Sequence, residues 1–213
     1  MIIFDIETLP TQDEELINRL CSDLRPPANY KNDDAIEKWM IEARKKVISD
    51  TALNGAYGSI ACICASNKID VTCVSHTKDS FTEKDAISSF FDTFDFNYHH
   101  ICGHNIAAFD LPFLKHRSII NGIKPPKGLL DAMNAKPWDD CIKDTMLMWS
   151  KTKMISLDTL AWILGIENEN TFDGSQVAEM WAKDPNLVIQ KCINDVSVTR
   201  QVYNKLTFSE AVF

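Results

Sequence analysis

The first seven residues, MIIFDIE, constrain this chain more than any other segment. Residues 1–6 (MIIFDI) predict a short buried strand that is apolar on both faces apart from Asp5. Asp5 and Glu7 stand at i and i+2, and strand geometry points both side chains to the same face. Two interpretations fit this pair: a strand end that emerges into solvent, or a site at the carboxyl edge of a central strand. The apolar residues ahead of the pair favour the site, because buried like charges repel unless a cation lies between them or one is protonated.

Hydrophobic periodicity along the rest of the chain predicts strands early and helices interleaved later. We expect further strands at 59–65 (SIACICA), 70–75, after a hairpin around residues 67–68, and 99–105 (HHICGHN). We expect helices at about 34–49, from 83 after a Thr82 cap, at 110–122 up to Gly122, after Ser156, and at about 186–205. Residues 140–149 add a short strand and a helical turn. This order is typical of a three-layer α/β domain.

Length and composition are those of an ordinary folded protein, with 213 residues, 45% of them hydrophobic and 24% charged. We expect one domain over residues 1–213, with a polar helical insert at about 11–52. No stretch approaches 18 uninterrupted apolar residues, and the N-terminus has no basic segment, so we expect neither a membrane span nor a secretory signal. The expected location is cytoplasmic.

The seven cysteines are an odd number and form no CxxC pair and no Cys/His ligand spacing. Four of them lie inside apolar runs such as SIACICAS, where a free thiol behaves as a small hydrophobe. We interpret them as buried, reduced thiols, with a structural zinc site as the alternative.

The net charge of −8 argues against a nucleic-acid partner if only the sum is considered. Residues 111–160 differ from the rest, with 8 basic and 5 acidic side chains, a local net of +3. They include Lys115, Arg117, Lys124, Lys127 and Lys136. Two interpretations fit this segment: a surface that follows a phosphate backbone, or lysines that decorate a solvated face.

Two further segments carry acids in apolar surroundings. In GHNIAAFD, Asn105 and Asp110 bracket the start of a predicted helix, where Asp110 can also serve as a first-turn acid favoured by the helix dipole. In KCINDVSVTRQVY, Asp195 lies among apolar positions of the last predicted helix, although a helix-surface acid is the simpler interpretation when the segment is taken alone.

Together these segments resemble the three motifs of the DEDD (DnaQ-like) exonuclease superfamily, in the order FDIET, HNIAAFD and CINDVSVTRQVY. Two segments, SLDTLAWILGI and DGSQVAEMW, resemble those before the third motif in exonucleases related to the proofreading domain of family B DNA polymerases. The insert PPANYKNDDAIEKWM is similar to that of a stand-alone phage and bacterial group. The resemblance implies a ribonuclease-H-like fold, with a mixed central sheet flanked by helices, and a bacterial or phage-infected host cell.

The resemblance also implies a two-metal 3′→5′ exonuclease in which Asp5, Glu7, Asp110 and Asp195 hold two Mg²⁺ or Mn²⁺ ions. Thr8 and Leu9 would then meet the terminal nucleotide, and Asn105 would support the substrate or a water. The expected partner is single-stranded DNA or RNA with a free 3′ end. No polymerase segment follows within these residues, so any proofreading is expected to act in trans.

The sequence departs from the superfamily at the general base, which is a Tyr four residues or a His five residues before the last acid. Lys191 and Gln190 hold these positions. Lys191 and Asp195 are i and i+4, so they share a helix face. Three interpretations remain: a neutral Lys191 that accepts a proton, a charged Lys191 that orients the scissile phosphate, or a Lys191 that pairs with Asp195 or points to solvent.

Two other functions therefore stay open beside the exonuclease. One is a nucleic-acid-binding module on the same fold, with catalysis weakened or lost along with the base. The other is different chemistry on the same fold, such as an endonuclease. Retention of all four acids opposes the binding module, because a module without metals has no need for mutually repelling carboxylates.

Overall fold

The apolar first strand forms the centre of a mixed five-stranded sheet. The computed structural model describes residues 1–67, 71–75, 82–98, 100–136 and 138–209. The strands within this part of the chain are β1 (Ile2–Leu9), β2 (Ser59–Ser66), β3 (Thr72–Ser75), β4 (Ile101–Gly103) and β5 (Ile142–Asp144). Their order in the sheet is β3-β2-β1-β4-β5. The second part of the predicted hairpin turn, at Lys68, lies outside the described residues.

The direction of the strands places the ends of three of them at one edge. β2 runs antiparallel to β1 and to β3, whereas β4 is parallel to β1 and β5 is parallel to β4. The carboxyl ends of β1, β4 and β5 therefore meet at the same edge of the sheet, as in open α/β sheets that bind ligands there. β1 ends three residues beyond the predicted end at residue 6, and its register with β2 shifts between Glu7 and Thr8.

Most helices begin and end close to where their capping residues predict. The described helices are α1 (Glu14–Cys21), α2 (Asp33–Thr51), α3 (Glu83–Thr93), α4 (Asp110–Ile120), α5 (Lys127–Asn134), α6 (Thr145–Trp149), α7 (Leu157–Ile163), α8 (Val177–Lys183) and α9 (Pro185–Leu206). Thr82 caps α3 and Ser156 caps α7, as expected. The sequence did not predict α1, α5 or α8.

Helices cover both faces of the sheet, which confirms the predicted three layers. On one face, α3, α4 and α5 pack on β1 and β2 around Phe4, Ile63 and Phe90. On the other face, α8 and α9 pack on the same strands around Ile3 and Val196. A strand covered on both faces needs the apolar run that opens this sequence.

The insert at 11–52 folds as α1 and α2, which contact each other and carry few buried side chains. Its two ends lie beside the end of β1. The amide of Thr11 donates to Oγ1 of Thr51 at 2.9 Å, and the hydroxyl of Thr8 donates to the carbonyl of Ala52 at 2.7 Å. Gly58 is needed here, because a Cβ would lie 2.6 Å from the carbonyl oxygen of Thr51.

None of the described helices is long and apolar enough to cross a membrane.

Candidate active site

Three of the four predicted acids converge where β1 meets α9. Asp5, Glu7 and Asp195 each offer an oxygen, and these oxygens all lie within 4.8 Å of one another. Asp5 and Glu7 come from the central strand, and Asp195 comes from the face of α9 that packs on the strand. Only 6% of Glu7 and 7% of Asp195 is exposed, so both acids are part of the interior.

The fourth acid, Asp110, begins α4 on the opposite face of the sheet and is 3% exposed. Its Oδ1 accepts a hydrogen bond from the backbone amide of Ile6 at 3.1 Å, between Asp5 and Glu7. The contact brings the acids of the first two motifs together, although Asp5 and Asp110 are 105 positions apart in the chain. Asp110 is an acid of the first turn of α4, as the helix-dipole interpretation expected, and its side chain is also buried against β1.

Crowding of buried acids raises their pKa values. Burial, reinforced by the charges of Asp110, Asp195 and Glu7, holds the pKa of Asp5 well above its ordinary value. Burial raises the pKa of Glu7 to about 7, even though Lys191 lowers it in part. Burial also raises the pKa of Asp110 to about 8. The protein by itself therefore disfavours the fully charged cluster, and an added cation would relieve it.

Lys191 is the one basic side chain among the described residues that forms ion pairs with these acids. Its Nζ donates to Oε1 of Glu7 at 2.6 Å and to Oδ2 of Asp195 at 2.7 Å, with 11% of the side chain exposed. Burial opposes the charge, but Glu7, Asp195 and Asp5 outweigh it and raise the pKa of Lys191. Lys191 therefore pairs with Asp195, as the third interpretation allowed, and does not point to solvent. Gln190 is exposed on another side of α9.

A network of three asparagines that the sequence analysis did not single out lies on the other side of Asp195, and one of them, Asn170, bonds to it. Nδ2 of Asn170 donates to Oδ1 of Asp195 at 2.6 Å. Nδ2 of Asn194 donates to Oδ1 of Asn168 at 2.6 Å and to Oδ1 of Asn170 at 3.0 Å. Asp195 thus receives Lys191 on one oxygen and Asn170 on the other. The only sequence signal was the run NEN before the last motif, which resembles an ordinary polar loop.

Asn105 lies at the end of β4 in a strained conformation, with φ of +59°. Its Oδ1 is the one buried side-chain oxygen or nitrogen in the described part of the chain that has no hydrogen-bond partner. An unpaired buried acceptor costs about 1–3 kcal/mol and calls for a partner such as water or a ligand.

The loop around Asn105 is shaped by Asp144, a buried acid that the sequence analysis did not predict. The carboxylate of Asp144 accepts from the amides of Asn105 at 3.0 Å and Ala107 at 3.1 Å, and from that of Met146 at 3.0 Å. Both ring nitrogens of His104 are used, toward Thr145 Oγ1 and the carbonyl of Ile155, each at 2.9 Å. These contacts fix the approach to α4 and hence the position of Asp110.

Thr8 and Leu9 follow the acids at the shifted end of β1. The hydroxyl of Thr8 already donates to Ala52, and Leu9 packs against the α9 face of the core while remaining partly exposed. Both residues therefore lie at the edge of the acidic cluster, but the Thr8 hydroxyl is directed toward the insert.

The basic side chains of 111–160 differ in how available they are to a phosphate backbone. Arg117 is largely buried and already pairs with Glu83 at 2.7 Å. Lys115 donates to Asn134, and Lys127 pairs with Asp131. Lys124 is exposed, and Lys136 lies 5.8 Å above the ring of Trp138.

All seven cysteines are free, and Cys62, Cys64, Cys102 and Cys192 are buried, as expected. The sulfur atoms of Cys62, Cys64 and Cys192 lie within 4.8 Å of one another. The thiol of Cys192 donates to the carbonyl of Asp5 at 3.4 Å, so these residues pack directly against the acidic strand. A structural zinc site here stays a prediction.

The donor set of the acidic cluster fits a hard divalent cation. Mg²⁺ and Mn²⁺ prefer carboxylate oxygens, and here oxygens of Asp5, Glu7 and Asp195 converge from two elements around a site with excess negative charge. An open cleft of about 380 Å³ borders the cluster, and its lining includes Lys191, Asp195, Asn170, Ser156 and Asp173. Of the acids in the cluster, Asp195 is the one that lines this cleft, so a ligand in the cleft would meet Asp195 and Lys191 first.

Comparisons with known proteins agree with this arrangement. A family described as "Predicted 3'-5' exonuclease related to the exonuclease domain of PolB" matches residues 52–213. The match contains Asp110, Lys191 and Asp195, whereas Asp5 and Glu7 precede it and join the site through the sheet. No curated protein matches the chain.

Among solved structures, the chain is similar to the family B DNA polymerase from the hyperthermophilic archaeon Pyrobaculum calidifontis, with a TM-score of 0.60 and 14% sequence identity. The similarity covers 97% of this chain and 24% of the polymerase chain. At this identity the likeness shows the fold alone, and the predicted ribonuclease-H-like fold is confirmed.

Proposed function

This chain belongs to the family of predicted 3′-5′ exonucleases related to the exonuclease domain of PolB, and from that premise we propose that it is a metal-dependent exonuclease. Its substrate is single-stranded DNA or RNA with a free 3′ end, and its product is a 5′-mononucleotide. Residues 1–213 act as one exonuclease domain.

The observation that carries this proposal is the convergence of Asp5, Glu7 and Asp195 within 4.8 Å, with Asp110 joined to the same strand through Ile6. Buried acids this close destabilise a protein that has no cation for them. A protein that only binds nucleic acid has no physical reason to keep them. A phosphodiester hydrolase has a reason to keep them, because the acids can hold cations and its substrate and leaving group are anionic.

Asp5, Glu7, Asp110 and Asp195 are the residues that would hold two Mg²⁺ or Mn²⁺ ions. Such ions, when bound, lower the pKa of water and neutralise charge on a transferring phosphoryl group. The protein supplies their positions: β1 fixes Asp5 and Glu7, while Asn170 orients the Asp195 carboxylate by its hydrogen bond at 2.6 Å.

Hydrolysis forms a bond from a water oxygen to the terminal phosphorus and breaks the bond from phosphorus to the 3′ oxygen, which takes up a proton. Lys191 is held charged by its acidic neighbours, so we assign it to orienting the scissile phosphate and not to accepting the proton of water. The other substrate contacts assigned are Leu9 and Thr8 to the terminal nucleotide and Asn105 to the substrate or a water. The unpaired Oδ1 of Asn105 supports its part.

The test is incubation of the protein with 3′- and 5′-labelled DNA and RNA oligomers in Mg²⁺, Mn²⁺ or EDTA. We expect mononucleotides released from the 3′ end with either metal and none in EDTA, with a 3′-terminal phosphate obstructing digestion. Cutting of a circular single strand would instead indicate an endonuclease. Binding of the oligomers without any cleavage would indicate a nucleic-acid-binding module in which the Tyr or His base has been lost.

A further inference from the structure

The ammonium group of Lys191 lies where a cation is needed. Its two contacts, at 2.6 Å and 2.7 Å, are with Glu7 and Asp195, which are two of the three acids whose oxygens converge. The side chains of all three partners are at most 11% exposed, so water screens this charge poorly. Lys191 is thus the counter-ion that the protein itself supplies to Glu7 and Asp195.

The same oxygen atoms cannot serve the lysine and a divalent ion equally well. Mg²⁺ binds carboxylate oxygens at about 2.0–2.1 Å and demands near-octahedral geometry. An ammonium group at hydrogen-bond distance from Oε1 of Glu7 and Oδ2 of Asp195 fills part of the space that such an ion needs. Two positive charges that close would also repel each other.

We infer that Lys191 is a built-in competitor of the divalent cation at the position shared by Glu7 and Asp195, so that metal enters there only as the ammonium group leaves. The inference rests on the proposed function, because it concerns loading of the same site. It assigns to Lys191 a control of metal affinity that is separate from any contact with substrate.

The surroundings of Lys191 allow the exchange. The lysine borders the open cleft of about 380 Å³, which is also lined by Asp158 and Asp173. These two acids can receive the displaced ammonium group without leaving the cleft. Asp195 keeps its hydrogen bond from Asn170 on the other oxygen, so the carboxylate stays in position as its partner changes.

The experiment is a titration of the metal-free protein with Mn²⁺, followed by calorimetry, in the absence of nucleic acid. The variants are Lys191→Met, which removes the charge and keeps the length, and Lys191→Arg, which keeps the charge. Lys205→Met is the matched control, because it removes the same charge from an exposed position of the same helix. We expect Lys191→Met to bind Mn²⁺ at least about tenfold more tightly than the wild type, and the other two variants to stay within about twofold. Equal or weaker binding by Lys191→Met would overturn the inference.

A second measurement uses the wild type and so does not depend on how well a variant folds. Lysine acetylation is followed by mass spectrometry at Lys191 with and without saturating Mn²⁺. We expect Lys191 to be protected in EDTA and to react at least about tenfold faster with Mn²⁺, since the ammonium group then faces the cleft. Unchanged protection at saturating metal would also overturn the inference.

Failure of this inference and failure of the proposed function give different results. If the wild type releases mononucleotides with Mg²⁺ but Lys191→Met binds metal no more tightly, only the competition is wrong. If neither protein binds Mn²⁺ and the wild type does not cleave, the metal-dependent exonuclease itself is wrong.

Discussion

Arg117 and Lys191 are two largely buried basic side chains that pair with carboxylates in the described part of the chain, and they lie in different chemical surroundings. Arg117 pairs with Glu83 on the α3–α4 side of the sheet, with side-chain exposures of 13% and 11%. Lys191 pairs with Glu7 and Asp195 on the α9 side, with exposures of 11%, 7% and 11%. Burial alone does not distinguish the two sites.

The balance of charges does distinguish them. Glu83 accepts from two nitrogens of Arg117 at 2.8 and 2.7 Å, from Nδ2 of Asn121 at 2.9 Å and from the amide of Ile60 at 2.8 Å. Burial raises the pKa of Glu83, but these hydrogen bonds prevail and hold it below its ordinary value. One cation meets one fully satisfied anion, as expected of a structural ion pair.

At Lys191 one cation faces several acids, and no second basic side chain among the described residues pairs with them. The pKa of Glu7 accordingly rises to about 7, mainly through burial, in spite of the contact with Lys191. The comparison teaches that an ion pair with balanced charge stabilises the fold, whereas one with an excess of acids indicates a place for an additional cation.

The largest expected effect is on 3′-end cleavage, which should depend on the Lys191 site and not on the Arg117 site. Asp5→Asn should reduce 3′-end cleavage by at least about 10³-fold, because it removes a proposed ligand of the cations. Its thermal stability in EDTA should equal or exceed that of the wild type, since repulsion is relieved. Glu83→Gln should keep its cleavage per folded molecule. Wild-type rates from Asp5→Asn would make the two sites equivalent and the metal assignment wrong.

The second-largest expected effect concerns the contribution of the Arg117 site to the stability of the fold. Glu83→Ala should lower the free energy of unfolding by about 3–5 kcal/mol, because it leaves the Arg117 guanidinium buried without its partner. Urea unfolding in EDTA measures the loss. The double variant Glu83→Ala/Arg117→Met is the control and should lose less than the sum of the single variants. A loss below about 0.5 kcal/mol would show that this pair, too, is not structural.

A smaller effect concerns the rate of cleavage at Lys191. If its charge orients the scissile phosphate, Lys191→Ala should lose about ten- to a hundredfold in kcat/KM, or roughly 1.4–2.8 kcal/mol of transition-state stabilisation. Lys191→Arg should retain much of the rate. Equal losses in both variants would favour the neutral base instead, because guanidinium does not deprotonate usefully. The comparison needs saturating Mg²⁺, so that metal affinity does not enter.

The smallest expected effect is a difference in how the free energy of unfolding changes with pH, at most about 1.4 kcal/mol per pH unit for each proton. A lowered pKa stabilises the fold above the ordinary value of glutamate, so the advantage of the wild type over Glu83→Gln should shrink as the pH falls. A raised pKa stabilises the fold at low pH, and this stabilisation is lost as the pH rises. In EDTA, the advantage of the wild type over Glu7→Gln should shrink as the pH rises from about 4.5 through about 7. Urea unfolding between about pH 3 and 8 checks both, since the Glu83 effect lies below the ordinary glutamate pKa and the Glu7 effect above it. Slopes of the same sign would remove the distinction.

Much of the fold could be predicted because the signals are local. The apolar run before Asp5 predicted a strand buried on both faces, and Thr82 and Ser156 predicted two helix starts that the structure confirms. α1, α5 and α8 were missed: α1 lies in the polar insert, and α5 has no side-chain cap. A short helix of this kind is specified by the surface on which it packs, not by its own residues.

The candidate site, too, could be predicted only where its signals are local. The order of its acids came from the sequence, since Asp5 and Glu7 share a strand face and Asp195 lies among core positions. The pairing of Lys191 with Asp195 was one of the predicted alternatives, because the two residues share a helix face. The other partners came only from the structure, because they lie in distant parts of the chain: Lys191 reaches Glu7 across 184 positions, and Asn170 reaches Asp195 across 25. The sequence by itself thus determined which side chains carry the charge. Only the tertiary structure decided that Arg117 is neutralised and Lys191 is outnumbered, because the balance of charge around a buried group depends on which elements the sheet brings together.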